Sequence, residues 1–194
     1  REKRAVIMSA ALDVFSEPGL RGATLGRIAE AASMPKPHVL YIFGSKDAIY
    51  TELLESLLET WLQPMRDMSP EGEPLEEILT YVRRKLQMSQ EMPRESKLFA
   101  TEILHGAPRT SDQLSGDLKT LVDEKAAMIS SWSAANRIAQ IDPHHLIFSI
   151  WAMTQHYADF DIQVRALLGE TSEDTLYSDA EAYLTALFER TLRP

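Results

Sequence analysis

Residues 24–43 read Thr-Leu-Gly-Arg-Ile-Ala-Glu-Ala-Ala-Ser-Met-Pro-Lys-Pro-His-Val-Leu-Tyr-Ile-Phe, two short helical patterns on either side of a tight turn. Thr24 has the side chain of an N-cap, and a helix from Leu25 to Ala32 then turns Leu25, Ile28 and Ala29 inward. Ser33-Met34 forms the turn. Pro35 opens a second short helix that runs to about Phe43, because the first helical turn has no use for the N–H that proline lacks. Ala29 falls where the two helices would cross, and only a small side chain allows a close approach there. Helices this short do not stand alone in water. The stripe Val6, Ile7, Ala10, Ala11, Val14 and Phe15 predicts a third helix to support them, stopped by Pro18-Gly19.

On the other side, Gly44-Ser45 breaks the chain and a fourth helix is expected from about Lys46. Its apolar stripes are Ile49, Leu53, Leu57, Trp61 and Leu54, Leu58, Leu62, and Pro64 is expected to end it. The loop Met68 to Pro74 is the best boundary. Further helices are predicted over Leu75–Met88, Arg94–Leu104, Ser111–Arg137, Pro143–Leu168 and Asp174–Leu192, about nine in all, with no alternating strand pattern, repeat or low-complexity run. The fold class is therefore all-α. The expected division is a helix-turn-helix domain over 1–45, a connecting helix over 46–63 and a C-terminal helical domain over 64–194.

With 194 residues the chain can bury a sizeable core, and 44% hydrophobic with 25% charged residues is ordinary for a folded soluble protein. There is no cysteine, so neither a disulfide framework nor a cysteine zinc site is possible. No apolar run reaches the length of a membrane span and no signal-peptide pattern opens the sequence, so a cytoplasmic protein without a membrane partner is expected. Arg1 rather than Met comes first, and a trimmed N-terminal tail is one expectation. The net charge of −9 argues against nucleic acid when taken whole. It is unevenly spread: residues 1–50 hold seven Lys/Arg and five acids, a net of +2 that leaves −11 on the rest. A mildly basic end on an acidic body confines phosphate attraction to one face.

In a helix-turn-helix the second helix enters the major groove by its N-terminal end. Here that end offers Lys36, Pro37, His38 and Tyr41. Lys36 and Lys46 can meet phosphates, and Thr24 can present its hydroxyl together with the helix N-terminus behind it. His38 can read a base edge or a phosphate, and Pro37 can make only apolar contacts, such as with a thymine methyl. Enzymatic chemistry is not expected. No Gly-x-Ser-x-Gly occurs, Ser33-Met34-Pro35-Lys36 matches Ser-x-x-Lys without its companion motifs, and Gly19, Gly22 and Gly26 lack dinucleotide-binding spacing. His105, His144, His145 and His156 lack a metal-ligand geometry, so no metal, cofactor or catalytic residue is assigned.

The segment Ala31–Tyr50, ending Tyr41-Ile42-Phe43-Gly44-Ser45-Lys46-Asp47-Ala48-Ile49-Tyr50, resembles the signature of the TetR family of transcriptional regulators. Members of that family usually carry glycine where Ser33 stands, serine or threonine near Pro35 and Pro37, and tyrosine where Leu40 stands. The resemblance implies a repressor that binds double-stranded operator DNA as a homodimer and is released by a small-molecule effector, with 64–194 as its ligand-binding and dimerisation domain. The dimer would be seamed by Pro143–Leu168 and Asp174–Leu192, where Leu176, Tyr183, Leu184, Leu187 and Phe188 give a helix more apolar face than one subunit needs.

The likeness continues beyond the DNA-binding segment. Thr60–Pro64, Ser96–Phe99 with Gly106-Ala107-Pro108, Gly116–Lys119 with Val122–Lys125, Ile141–Phe148 and Trp151–Phe160 are similar to the branch of the family that governs bacterial pyrimidine utilisation and responds to uracil or thymine. The resemblance implies a pocket of Leu58, Trp61, Leu62, Phe99, Trp151, Thr154 and Gln155. The chemistry is sensible on its own terms. A glutamine amide can pair with the imide edge of uracil, a donor flanked by carbonyl acceptors. Trp61 and Trp151 can sandwich a flat ring. Trp151, Thr154 and Gln155 fall at i, i+3 and i+4 on one helix face, and the set carries no charge, which suits a neutral ligand. Aromatic stripes at this spacing also serve as plain core, and the residues alone leave both readings open.

Overall fold

A computed structural model describes residues 2–16 and 22–194, and among them ten α-helices and no strand are found. Glu2–Ser16 (α1), Leu25–Ala31 (α2) and Lys36–Phe43 (α3) are followed by the long Lys46–Arg66 (α4). Pro74–Glu91 (α5) and Pro93–Leu104 (α6) come next. Three α-helical residues, Ser111–Gln113, and a π-helical turn, Leu114–Leu118, lead straight into Lys119–Ala134 (α7). Pro143–Asp159 (α8), Asp161–Leu168 (α9) and Glu173–Leu192 (α10) complete the ten, the three-residue Ser111–Gln113 stretch being taken together with the π-helical turn it leads into. The expected stop at Pro18-Gly19 lies outside the described residues.

These helices fall into two compact units. Residues 1–60 with 94–112 form the first, and 61–93 with 113–194 the second. A division drawn along the sequence cannot show this, because 94–112 groups with the N-terminal helices and α4 contributes to both units.

In the first unit α2 packs on α1 and on α3. Ile7, Ala11, Phe15, Ile28, Ala29, Val39 and Ile49 are buried, and the Phe15 and Tyr50 rings meet edge to face at 4.9 Å. Thr24 caps α2 as expected: its Oγ1 accepts the Arg27 N–H at 3.2 Å. Pro35 is the N-cap residue of α3, one position before the first helical residue. Arg4 ties three elements together. Its Nε donates to Glu52 at 2.8 Å, its Nη1 to the Ile42 carbonyl at 3.3 Å, and its guanidinium lies 4.2 Å from the Phe43 ring centroid.

The turn explains a departure seen in the sequence. Ser33 has φ +52°, the left-handed region where a Cβ crowds the following carbonyl. Glycine relieves that crowding but leaves a freer unfolded chain, so the two effects partly offset. Ser33→Gly is expected to stabilise the protein by about 0.5–1 kcal/mol. A thermal melt reads this as a midpoint about 1–3 °C higher; an unchanged or lower midpoint refutes it.

In the second unit α5 is the central helix, packed on both α8 and α10, with α7 against α8. Its buried face carries Ile78, Leu79, Tyr81, Val82, Leu86 and Met88. The end of α4 is finished by a buried lysine. Lys125 Nζ on α7 donates to the carbonyls of Met68 at 3.1 Å and Arg66 at 3.4 Å, where the helix dipole favours a cation.

Two boundaries differ from the sequence expectation. Pro64 lies inside α4 and does not end it; only Met65 and Arg66 follow, so a single i−4 bond is lost. The stretch Pro143–Leu168 is two helices, interrupted at Phe160 with φ −118° and ψ 30°. Phe160 still donates its N–H to His156 at 3.0 Å, and Asp161 then places an acid in the first turn of α9.

Candidate functional site

The first surface to consider is the outer face of α2 and α3. Val39 and Phe43 turn inward to hold α3, so the residues between them must face out. Tyr41 is 90% exposed and Leu40 45%; Lys36 and Pro37 are exposed and His38 half-buried. Among the described residues nothing covers this face. Thr24 is exposed at the start of α2, beside the exposed Gly26 and Arg27. Arg27 and Leu40 are additions to the sequence-based set: each lies on the outward side of its helix, a position that follows from where the buried residues point.

Lys46 is placed differently from the other cations. Its Nζ donates to the carbonyl of Ala23 at 3.0 Å, which fastens the start of α2 to the start of α4. Its position beside the Thr24 cap is therefore fixed by that bond. The half-buried Arg109 forms a second tie within this unit. Its Nη2 donates to Asp47 at 2.7 Å, and its backbone N–H donates to the buried Glu102 carboxylate at 2.8 Å. Burial, reinforced by the Glu102 charge, pushes the Tyr50 phenol up to about 12.

The pocket residues named from the sequence are distributed over both units. Leu58 on α4 and Phe99 on α6 group with the first; Trp61, Leu62, Trp151, Thr154 and Gln155 group with the second. Leu58, Trp61 and Leu62 are buried, while Phe99, Trp151 and Gln155 are half-buried.

Within the second unit the side chains have definite partners. Trp151 Nε1 donates to the Tyr81 hydroxyl at 2.7 Å, joining α8 to α5. Burial raises the Tyr81 phenol well above its usual range, the Trp151 hydrogen bond only partly opposing it. The Thr154 hydroxyl is fully buried and donates to the Ile150 carbonyl at 2.7 Å, so it has only lone pairs to offer elsewhere. The Gln155 amide makes no hydrogen bond among the described residues, which leaves both its donor and its acceptor for a partner.

One face of Trp61 is already covered. Lys85 Nζ lies 4.5 Å from the centroid of that ring, so a ligand sandwiched by Trp61 and Trp151 would have to use the other face or share this one. Lys85 is only 4% exposed. Burial lowers its ammonium to about 8, with the Asp159 charge pulling the other way. Sequence reasoning missed it. The available signal was register: Lys85 stands four residues after Tyr81 and three after Val82, a charged residue on the apolar stripe of its helix.

Residues 7–53 match the family described as bacterial regulatory proteins, tetR family, and residues 54–194 match the family described as YcdC-like protein, C-terminal region. The HTH-type transcriptional regulator RutR of Escherichia coli strain K12 is 47% identical over 175 residues, which is 90% of this chain and 82% of that protein. Among solved structures, the transcriptional regulator SCO4942 of Streptomyces coelicolor superposes with a TM-score of 0.79 at 21% identity, covering 99% of each chain. AibR, in a complex with isovaleryl coenzyme A and operator DNA, superposes with a TM-score of 0.72 at 16% identity, over 95% of this chain and 97% of that one. At such identities the two structures speak for the fold. No helix among the described residues is long and apolar enough to cross a membrane.

Proposed function

The chain belongs to the TetR family of bacterial regulatory proteins, and from that premise we propose that it is a repressor bound to operator DNA as a homodimer and released by uracil or thymine. The observation that carries the DNA reading is the outward face of α3. A helix that presents a 90% exposed tyrosine and an exposed Lys36, Pro37 and Leu40 is built to enter a groove. Thr24, Lys36 and Lys46 position the protein on phosphates, with Arg27 added to them, and His38 and Tyr41 face the bases. On this reading the chain works by binding equilibria.

The 47% identity with RutR supports the pyrimidine effector, and the unengaged Gln155 amide supplies the chemistry. Release then needs only differential binding. Trp61 and Leu62 belong to α4, the same continuous helix whose first turns carry Lys46 and Tyr50 against α2 and α1. A ligand that prefers one setting of α4 biases the spacing of the two reading heads in a dimer, which must be about 34–36 Å for successive major grooves. The same reading puts the dimer seam on α8 to α10, where Phe148, Met153, Phe160, Ile162, Leu167 and Tyr183 are exposed apolar residues; of the seam residues expected from the sequence, Leu176, Leu184 and Phe188 are instead buried within the subunit and Tyr183 stays exposed.

The test uses the full chain and a pool of random duplex DNA to select its sites. A selected, labelled duplex is expected to show two half-sites about one helical turn apart and to be released as uracil is titrated in. No release at saturating uracil or thymine removes the pyrimidine effector and leaves a regulator with another ligand. Failure to select any duplex removes the regulator reading itself.

A further inference from the structure

Two lysines of the second unit are buried, and they differ in what meets their charge. Lys125 is satisfied by the carbonyls that end α4. Lys85 makes no hydrogen bond among the described residues; its ammonium rests on the Trp61 ring, with Asp159 as its electrostatic partner. An ammonium has three donors, and one buried without acceptors is costly unless something at the site uses them.

The arrangement shows where those donors are useful. On α8, Trp151, Gln155 and Asp159 recur every fourth residue and share one helix face. On α5, Tyr81 and Lys85 are likewise one turn apart. Tyr81 accepts the Trp151 N–H, and Lys85 is drawn to Asp159. The two contacts therefore bracket Gln155 on its helix, one a turn before it and one a turn after. The buried ammonium and the unengaged amide lie on two helices packed against each other, with the Trp61 indole against the ammonium.

We propose that Lys85 is a ligand-binding residue of this helix pair, donating to one carbonyl oxygen of a flat, neutral imide ring while Gln155 pairs with the imide N–H and the second carbonyl. This rests on the reading of Gln155 and Trp61 as effector residues and sharpens it to a class of ligand. The ring must carry carbonyl acceptors on both sides of an N–H. A hydrocarbon would leave the Lys85 and Gln155 donors unmet, and a cation would be repelled. With its ammonium lowered only to about 8, Lys85 remains largely protonated at neutral pH and is a charged donor, the stronger kind.

The experiment is calorimetric titration of the full chain with uracil, and with 4-pyrimidinone, which lacks one of the two carbonyls. Wild type is expected to bind uracil and to prefer it over 4-pyrimidinone. In Lys85→Met, uracil affinity should fall about 10- to 100-fold, the loss of one charge-assisted hydrogen bond, and the preference for uracil should shrink to about twofold. Lys85→Gln, which keeps a neutral donor, should recover part of both. Operator binding without ligand should be unchanged in each variant, which separates loss of recognition from loss of fold. Uracil binding in Lys85→Met at wild-type affinity with wild-type preference overturns the Lys85 role and leaves the pyrimidine reading standing. Wild type that binds neither compound overturns the pyrimidine reading, and the Lys85 role goes with it.

Discussion

Ala29→Leu is expected to weaken operator binding at least about 100-fold while the second unit stays folded. Ala29 is buried on the inner face of α2, where α2 packs on both α1 and α3. A leucine there adds three carbon atoms to a close-packed crossing, and overpacking of this kind costs about 1–3 kcal/mol. The helices of the first unit give way most easily at α3. It has eight residues, no side-chain N-cap bond, and a proline at its second helical position. So short a helix keeps its place only through packing. A shift of about 1 Å at its N-terminal end is enough to break the base contacts, since these depend on hydrogen-bond geometry. All three tryptophans, Trp61, Trp132 and Trp151, belong to the second unit, so their emission reports on that unit alone. Fluorescence anisotropy on labelled operator should show the loss, and tryptophan emission should be unaltered. Ala29→Ser, nearly the same size, should bind within about threefold of wild type. Leucine tolerated at wild-type affinity would mean that Ala29 does not set the spacing of α2 and α3.

The parts of this molecule that were legible in the sequence are those decided by local chemistry. Thr24 caps α2 because an exposed hydroxyl next to free N–H groups does so in nearly any context. Asp142 before Pro143 opens α8 for the same reason, accepting the His145 N–H at 3.0 Å. Ile28 and Ala29 are buried in the register their spacing predicts, while Leu25, expected inward with them, is half-buried. What the sequence hid is decided by packing between distant segments. The break at Phe160 has no proline or glycine to mark it; it is set by the backbone turning between α8 and α9. Residues 94–112 group with the first unit through ties such as Arg109 to Asp47, 62 positions away. Of the candidate pocket, the indoles and Gln155 stood out as residue types, but their partners did not. Tyr81, 70 positions from Trp151, takes its N–H, and Lys85 covers Trp61. Periodicity shows which face of a helix is inward, and it is silent on which inward groups from other helices meet there.

The second large effect concerns Lys85 and stability. Lys85→Met is expected to stabilise the protein by about 1–3 kcal/mol near pH 7, an upward shift of several degrees in the melting midpoint. Burial lowers the folded-state ammonium from 10.5 to about 8, so the folded protein holds that proton less firmly than the unfolded chain does. The sign follows. Below about pH 8 both states are protonated and the folded state bears the whole cost of the buried charge. Between about 8 and 10.5 the folded state releases the proton first, the unfolded state binds more protons, and stability rises with pH. Above 10.5 the contribution is gone. A shift of this size corresponds to about 3 kcal/mol, the attraction to Asp159 already contained in it, and is reduced by the cation–π contact with Trp61 that methionine forfeits. Methionine fills the same volume with no charge to desolvate, and Asp159 is only partly buried and has other interactions, so it is not stranded. The Tyr50 and Tyr177 phenols, both pushed up to about 12 chiefly by burial, lower stability above pH 10 in wild type and variant alike and cancel in the difference. Melts of both proteins at several pH values should therefore show the variant ahead at pH 7 and its lead shrinking by pH 10. A variant less stable at pH 7, or a lead that does not change with pH, would mean that the ammonium is not held at a cost by the fold. If the lead is found, Lys85 is a charge the second unit would be firmer without, which is how a group placed for a ligand rather than for packing behaves.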